Sequence, residues 1–427
     1  MPNIPRQVKR ECNLTTVGNR LAITGHFDIT QFRRALAQLR ELIDQRGYKD
    51  IRLDFANCSF THAPPVLALA TAAQAYRTRD IGFELILPED EKLERLFRNS
   101  NWANIIDPTN FEPSDFQSSV HMPALRYQTP DEQHHLVDDL LIKMLASITG
   151  FERSHFKAIE WSINEITDNV LVHSESLQGG LVQLTAMKNS KKVELVVCDN
   201  GIGIPKSLRS SGLKIGSDVD ALAQAIEQGV TRDKSIGQGN GLYGSYQIAV
   251  KSGGNFSVHS GNATLYYAPK SGMHTRKENS FLPGTIVVCA IDYTEPLLLE
   301  DALNIKSKPF SPVDMIEHKY ESSADGNIIF FLKNESDSFG SRIAGTPVRN
   351  KLKNLVSFLE GNKVVVDFSD IHLVSSSFAD EVFGKLFVDL GPLDFSNKLE
   401  LKNVDSTVKM LVEKAIMQRM ASSAARS

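Results

Sequence analysis

Asn164-Glu165-Ile166-Thr167-Asp168-Asn169-Val170-Leu171-Val172-His173 is the stretch on which the reading of this chain turns. The pattern predicts a helix running from about 151 to 173. Positions 165, 169 and 173 then stack at i, i+4 and i+8 on one face. A carboxylate, an amide and an imidazole in one row are costly to bury unless they face a polar site. Ile163, Ile166, Val170 and Leu171 supply the opposite, apolar face. Alone, such a stripe is more often a solvated helix face than a site.

Two glycine-bearing motifs follow. Asp199-Asn200-Gly201-Ile202-Gly203-Ile204-Pro205 comes directly after a strand-like run at 193–198. A carboxylate at a strand end can accept a hydrogen bond from an exocyclic amine, and glycines permit positive φ and close backbone approach. The plain alternative is a strand-terminating turn. Gly237-Gln238-Gly239-Asn240-Gly241-Leu242 opens a second helix, expected over 242–251. Glycines there expose backbone N–H groups, and the helix dipole favours an anion. The plain alternative is a hinge. Further strands are expected at 181–187, 255–259 and 285–291.

In this order the three stretches resemble the N, G1 and G2 boxes of the GHKL (Bergerat-fold) nucleotide-binding family, which includes gyrase, Hsp90, MutL and sensor histidine kinases. Asn164 to His173 is most similar to the anti-sigma-factor serine kinase branch. Pro283-Gly284-Thr285 resembles the late G-T of that fold. The resemblance covers about residues 130–293 and implies ATP and Mg²⁺ as ligands. Asp199 would bond the adenine amino group, with Thr285 supporting the ring through water. Gly201 and Gly203 would let base and ribose approach. Asn169 would hold Mg²⁺. Gly237, Gly239 and Gly241 would line the triphosphate, with His173 and Leu242 beside the nucleotide. Residues 206–236 would form a mobile lid from which Arg232 or Lys234 could reach the γ-phosphate. Glu165 matches the family's general base, which accepts a proton from water or a substrate hydroxyl. Its presence favours hydrolysis or Ser/Thr phosphorylation. Histidine kinase activity is disfavoured: His134-His135 lacks the acidic and proline pattern and sits too near Glu165 for a helical hairpin.

The flanks share a pattern. Ile51-Arg52-Leu53-Asp54-Phe55 and Val364-Val365-Val366-Asp367-Phe368 are each followed by a turn, small residues and a helix. Both resemble STAS domains, which partner serine kinases of this branch. In the C-terminal copy Ser377 falls at the phosphoacceptor position, although Ser375 stands where the family has Asp and Phe378 where it has Gly. A helix cap by Ser375 or Ser376 is the alternative. The N-terminal copy has Ala63-Pro64-Pro65 there and suits binding or scaffolding.

The expected architecture is therefore α/β, an α+β sandwich with a central Bergerat-fold domain (125–295) between STAS-like domains (1–118 and 310–420), with a disordered tail at 421–427. The 427 residues accommodate three domains. Lys and Arg total 47 against 51 Asp and Glu, for a net charge of −4, so no nucleic-acid partner is expected. The four scattered cysteines form no CxxC pair, and no apolar run spans a bilayer, which predicts a cytoplasmic protein without membrane or zinc site. The expected function is a prokaryotic regulator that hydrolyses ATP or transfers its phosphate to Ser/Thr in a partner-switching system. The alternative is a non-catalytic ATP sensor or scaffold. Protein partners would bind through the STAS-like flanks, and a homodimer is among the assemblies this reading admits.

Overall fold

The computed structural model describes residues 11–114, 122–227, 229–230, 241–295, 314–321, 326–359 and 361–424. The chain divides into two compact units. The first contains residues up to 137 and 161–295; the second contains 138–160 and the C-terminal residues from 311.

The first unit begins with an α/β layer. Its elements are β1 (Cys12–Val17), β2 (Arg20–His26), α1 (Phe32–Arg40), β3 (Asp50–Asp54), β4 (Cys58–Phe60), α2 (Ala63–Arg77), β5 (Gly82–Ile86), α3 (Glu91–Asn99) and α4 (Trp102–Ile106). The sheet order is β1-β2-β3-β5, with β1 antiparallel and the rest parallel. Asp90 caps α3 by accepting from the N–H groups of Lys92 and Leu93, which satisfies two donors the helix leaves open.

A second sheet follows: β6 (Leu125–Tyr127), α5 (Pro130–Ser147), α6 (Arg153–His173), β7 (Gly180–Met187), β8 (Lys192–Asp199), α7 (Gly203–Ser210), α8 (Asp218–Ala225), α9 (Gly241–Lys251), β9 (Asn255–Ala268) and β10 (Gly272–Asp292). Its order is β6-β7-β8-β10-β9, antiparallel throughout. The hairpin strands run longer than the sequence predicts. The strand expected over 255–259 continues as β9 through Ser260-Gly261-Asn262, and β10 absorbs the irregularity with two register shifts between Lys277 and Thr285.

The two sheets share one core. Every residue of α2 from Ala63 to Ala73 is buried. The helix contacts α1, α4 and β5 of its own layer and β7, β8 and β10 of the second sheet. A helix apolar on all sides needs cover on all sides. Leu67, Leu69 and Phe97 belong to the same cluster as Leu181, Val196, Cys198 and Ile286. This cover explains why β7 is buried along nearly its whole length although its sheet is antiparallel. Inside the core, Trp102 Nε1 donates to Gln183 Oε1 at 2.7 Å, and Gln183 Nε2 donates to the Met122 carbonyl at 2.9 Å.

The second unit holds α10 (Met315–Lys319), β11 (Ile328–Phe331), α11 (Arg342–Ser357), β12 (Val364–Asp367), α12 (Ser376–Ala379), a π-helical turn at Asp380–Gly384, α13 (Lys385–Leu390), α14 (Pro392–Lys398), β13 (Leu399–Lys402) and α15 (Ser406–Ala424). Its three strands are parallel, with β12 central. Residues 138–160 pack here. Asn354 Nδ2 donates to the carbonyls of Leu145 and Ile148 at 2.8 and 2.6 Å. Arg153 makes a two-point contact with the buried Asp314 at 2.9 and 3.0 Å. Among the described residues no helix is long and apolar enough to cross a membrane, and all four cysteines are free.

Candidate nucleotide site

α6 carries the first part of the site. Ile163, Ile166 and Val170 are buried as the spacing predicts, Leu171 is only half-buried, and Glu165, Asn169 and His173 lie half-buried along the other face. Thr167 ties the helix to its surroundings: its hydroxyl donates to the Ile163 carbonyl at 2.7 Å and receives from Gln133 Nε2 at 2.8 Å. Burial first, and the neighbouring Asp168 second, push the Glu165 carboxyl up to about 7. Its carboxylate lies against Gly241, the first residue of α9. A Cβ at that position would overlap Glu165 Oε2. The first and third motifs thus meet at one point.

β8 delivers Asp199. It is buried, and its Oδ1 accepts the Gly201 N–H at 2.7 Å. Burial raises its carboxyl to about 7, opposed by the backbone N–H groups of Gly201 and Thr285. Thr285 is its register partner on β10. Gly203 has φ +75°, and a Cβ there would meet Ser260 Oγ and the Gly284 carbonyl. A Cβ at Gly201 would enter the backbone of Ser174, whose carbonyl accepts the Ile202 N–H at 2.7 Å. The seating of the turn between α6 and the hairpin by itself requires glycine at both positions.

Two residues escaped the sequence reading. Ser260 Oγ accepts from the Ile204 N–H at 3.0 Å, donates to the Gly284 carbonyl at 2.7 Å and lies 3.3 Å from Thr285 Oγ1. Ser174 closes the helix under the glycine turn. Ser260 was findable only through its pairing with Thr285 across the hairpin; Ser174 simply follows His173.

Gly241 and Leu242 stand at the start of α9. Arg232, Lys234, Gly237 and Gly239 lie outside the described residues. The lid expected over 206–236 needs correction in its first part. There α7 and α8 pack on the β9–β10 hairpin and bury Leu208, Ala221, Leu222 and Ala225. Ser217 and Asp220 form a capping box at α8. Asp218 accepts from Arg209 at 2.7 Å and from the Asn262 N–H at 2.8 Å. His134 and His135 are exposed.

In the second unit, Ser375 caps α12 by accepting the Phe378 N–H at 3.0 Å. Ser377 Oγ lies 2.9 Å from Ser375 Oγ. The helix-cap alternative describes Ser375.

Residues 157–293 match the family model of the histidine kinase-, DNA gyrase B- and HSP90-like ATPases. Residues 344–409 match a STAS-like domain of unknown function. No curated protein matches the chain. The protein thus contains an ATPase domain of this type and a C-terminal STAS-like domain within a mixed α/β architecture.

The residues present fit a Mg²⁺-nucleotide. A buried carboxylate at a strand end suits an exocyclic amine, and α9 begins with a glycine facing the motif helix. Among the described residues no group of three His, Cys, Asp or Glu side chains could hold a metal. Mg²⁺ bound chiefly by phosphate oxygens needs no such group.

Proposed function

We propose that this protein is a nucleotide-dependent regulator that binds Mg²⁺-ATP between α6, the Asp199 turn and the start of α9, and hydrolyses it or passes its phosphate to a Ser/Thr hydroxyl. The observation that carries the reading is the Glu165 carboxyl, half-buried against Gly241 with its proton affinity raised to about 7. A base poised near working pH is what proton removal from water or an alcohol requires. Asp199 would accept from the adenine amino group, with Thr285 beside it. Asn169 would hold Mg²⁺, and His173, Gly241 and Leu242, with Gly237, Gly239 and Lys234, would line the nucleotide. Bound Mg²⁺-ATP supplies the phosphoryl group and neutralises charge on the phosphates. The kinship to anti-sigma-factor serine kinases and a STAS-type origin of the N-terminal layer belong to the same proposal. So do the domain bounds 1–118, 125–295 and 310–420, protein partners on the STAS-like domains, and a cytoplasmic setting.

Incubation with γ-labelled ATP tests it. Wild type is expected to release phosphate or label protein, and Glu165→Ala to do neither. Equal activity in the two proteins removes Glu165 from the chemistry. One observation favours a non-catalytic sensor: the hydroxyl of Ser377 is engaged with the Ser375 cap rather than presented freely. Tight nucleotide binding without turnover selects that reading.

A further inference from the structure

The β9–β10 hairpin departs from regular pairing between Lys277 and Thr285. Such bulges release backbone carbonyls from the ladder, and a buried carbonyl without a donor is costly. Three carbonyls at or beside these register shifts, those of Gly261, Ala263 and Ser280, converge on one side chain from the N-terminal layer. Arg33, on α1, is buried. Its Nη1 donates to the Gly261 and Ser280 carbonyls at 2.8 Å each, and its Nη2 to the Ala263 carbonyl at 2.7 Å. A planar, rigid guanidinium is the side chain that can serve three acceptors in fixed directions. Burial pulls its pKa down to about 10, with Glu278 opposing, so it stays charged at neutral pH. Alongside it, the Phe32 ring meets His259 edge-on at 5.3 Å, and Arg40 donates to the Phe281 carbonyl at 3.0 Å.

The stretch Arg33 holds is the one that builds the base end of the candidate site. Ser260, which precedes Gly261, bonds Ile204 and Gly284 and lies beside Thr285. The amide side of the same stretch is held by Asp218, through the Asn262 N–H. Arg33 from the N-terminal layer and Asp218 from α8 therefore fix the hairpin from opposite polarities, one on its carbonyls and one on its N–H.

We infer that Arg33 is a positioning residue for recognition of the base: the N-terminal layer, through this guanidinium, sets the placement of Ser260 and Thr285 opposite Asp199. The inference rests on the nucleotide reading given above. It makes the N-terminal layer part of the site's construction, with no contact to nucleotide required of it. It also separates the two ends of the ligand, because the phosphate end would be built by α6 and α9, while the three carbonyls Arg33 holds lie on the β9–β10 hairpin.

The test uses the full chain and three probes: ADP, inosine diphosphate, which lacks the 6-amino group, and inorganic tripolyphosphate. Wild type is expected to prefer ADP over inosine diphosphate. Arg33→Ala is expected to lower that preference about tenfold and Arg33→Lys about threefold, since an ammonium cannot serve all three carbonyls in plane. Tripolyphosphate affinity should stay within about twofold in both. A general loosening of the fold would instead weaken all three probes together, and that result overturns the inference. So does an unchanged preference in folded variants. If Arg33→Ala does not fold, Arg33→Lys decides alone. Wild type that binds no nucleotide at all defeats the underlying reading, which is a different result from wild type that binds while the Arg33 variants behave like it.

Discussion

The Ile202 N–H donates to the Ser174 carbonyl at 2.7 Å. That bond joins the end of the helix carrying Glu165, Asn169 and His173 to the turn that follows Asp199. Gly201 is packed so closely on Ser174 that a side chain there would enter its backbone. Helix and turn are thus joined through backbone, which fixes the main-chain spacing between the residue that carries the candidate base and the one that carries the candidate adenine acceptor.

Replacing Glu165 by Gln should lower turnover by about 10²- to 10⁴-fold while leaving nucleotide affinity within a few-fold, because the amide keeps the shape but cannot take a proton. The wild-type rate should rise with pH through about 7, where Glu165 loses its proton. A pH–rate profile of wild type and variant reads both.

Asp199 gives a stability prediction with a definite sign. Its folded pKa, about 7, lies above the usual carboxylate value. The folded state thus holds this proton more tightly than the unfolded chain. The associated stability is complete below about pH 4 and is lost as pH rises through 7. Asp199→Asn removes that loss. Compared with wild type, the variant should gain about 2–4 °C in Tm at pH 8 relative to pH 5, read by thermal melts of nucleotide-free protein.

The shared core predicts cooperative loss of the first unit. Leu69→Ala, in the middle of α2, should cost about 2–5 kcal/mol. Because α2 is covered by both sheets, the N-terminal layer and the candidate site should fail together. In calorimetry the wild-type first unit should melt as a single transition, and the variant should lower that same transition. Two separately shifted transitions would contradict a common core.

Gly203→Ala isolates the turn. The residue sits at φ +75° against Ser260 and Gly284, so added strain of about 1–3 kcal/mol is expected. Urea midpoints should fall accordingly. The control Gly212→Ala also has positive φ but meets nothing within 4 Å, so it should cost less.

How much of this was legible in the sequence depended on whether the signal was local. The polar stripe of α6 followed from a 3.6-residue period, and the turn after Asp199 from its glycines. The length of the hairpin did not, because Ser260 and Gly261 carry turn chemistry while sitting in a strand whose partner absorbs the irregularity. The common core was also hidden: small residues and a helix after Phe55 do not say that a second sheet covers α2. Least legible was the attachment of residues 138–160 to the C-terminal unit. Asn354 bonds the carbonyls of Leu145 and Ile148, a pairing of residues far apart in the chain that no periodicity encodes.

In the proposed function the Asp199 turn and the start of α9 form a nucleotide site. Titration calorimetry of the full chain with Mg²⁺-ADP tests it most directly, with Asp199→Asn as the comparison. Wild type is expected to bind saturably, one to one, and the variant at least tenfold more weakly. Absence of binding by folded wild type, or equal affinity in the two proteins, would contradict it.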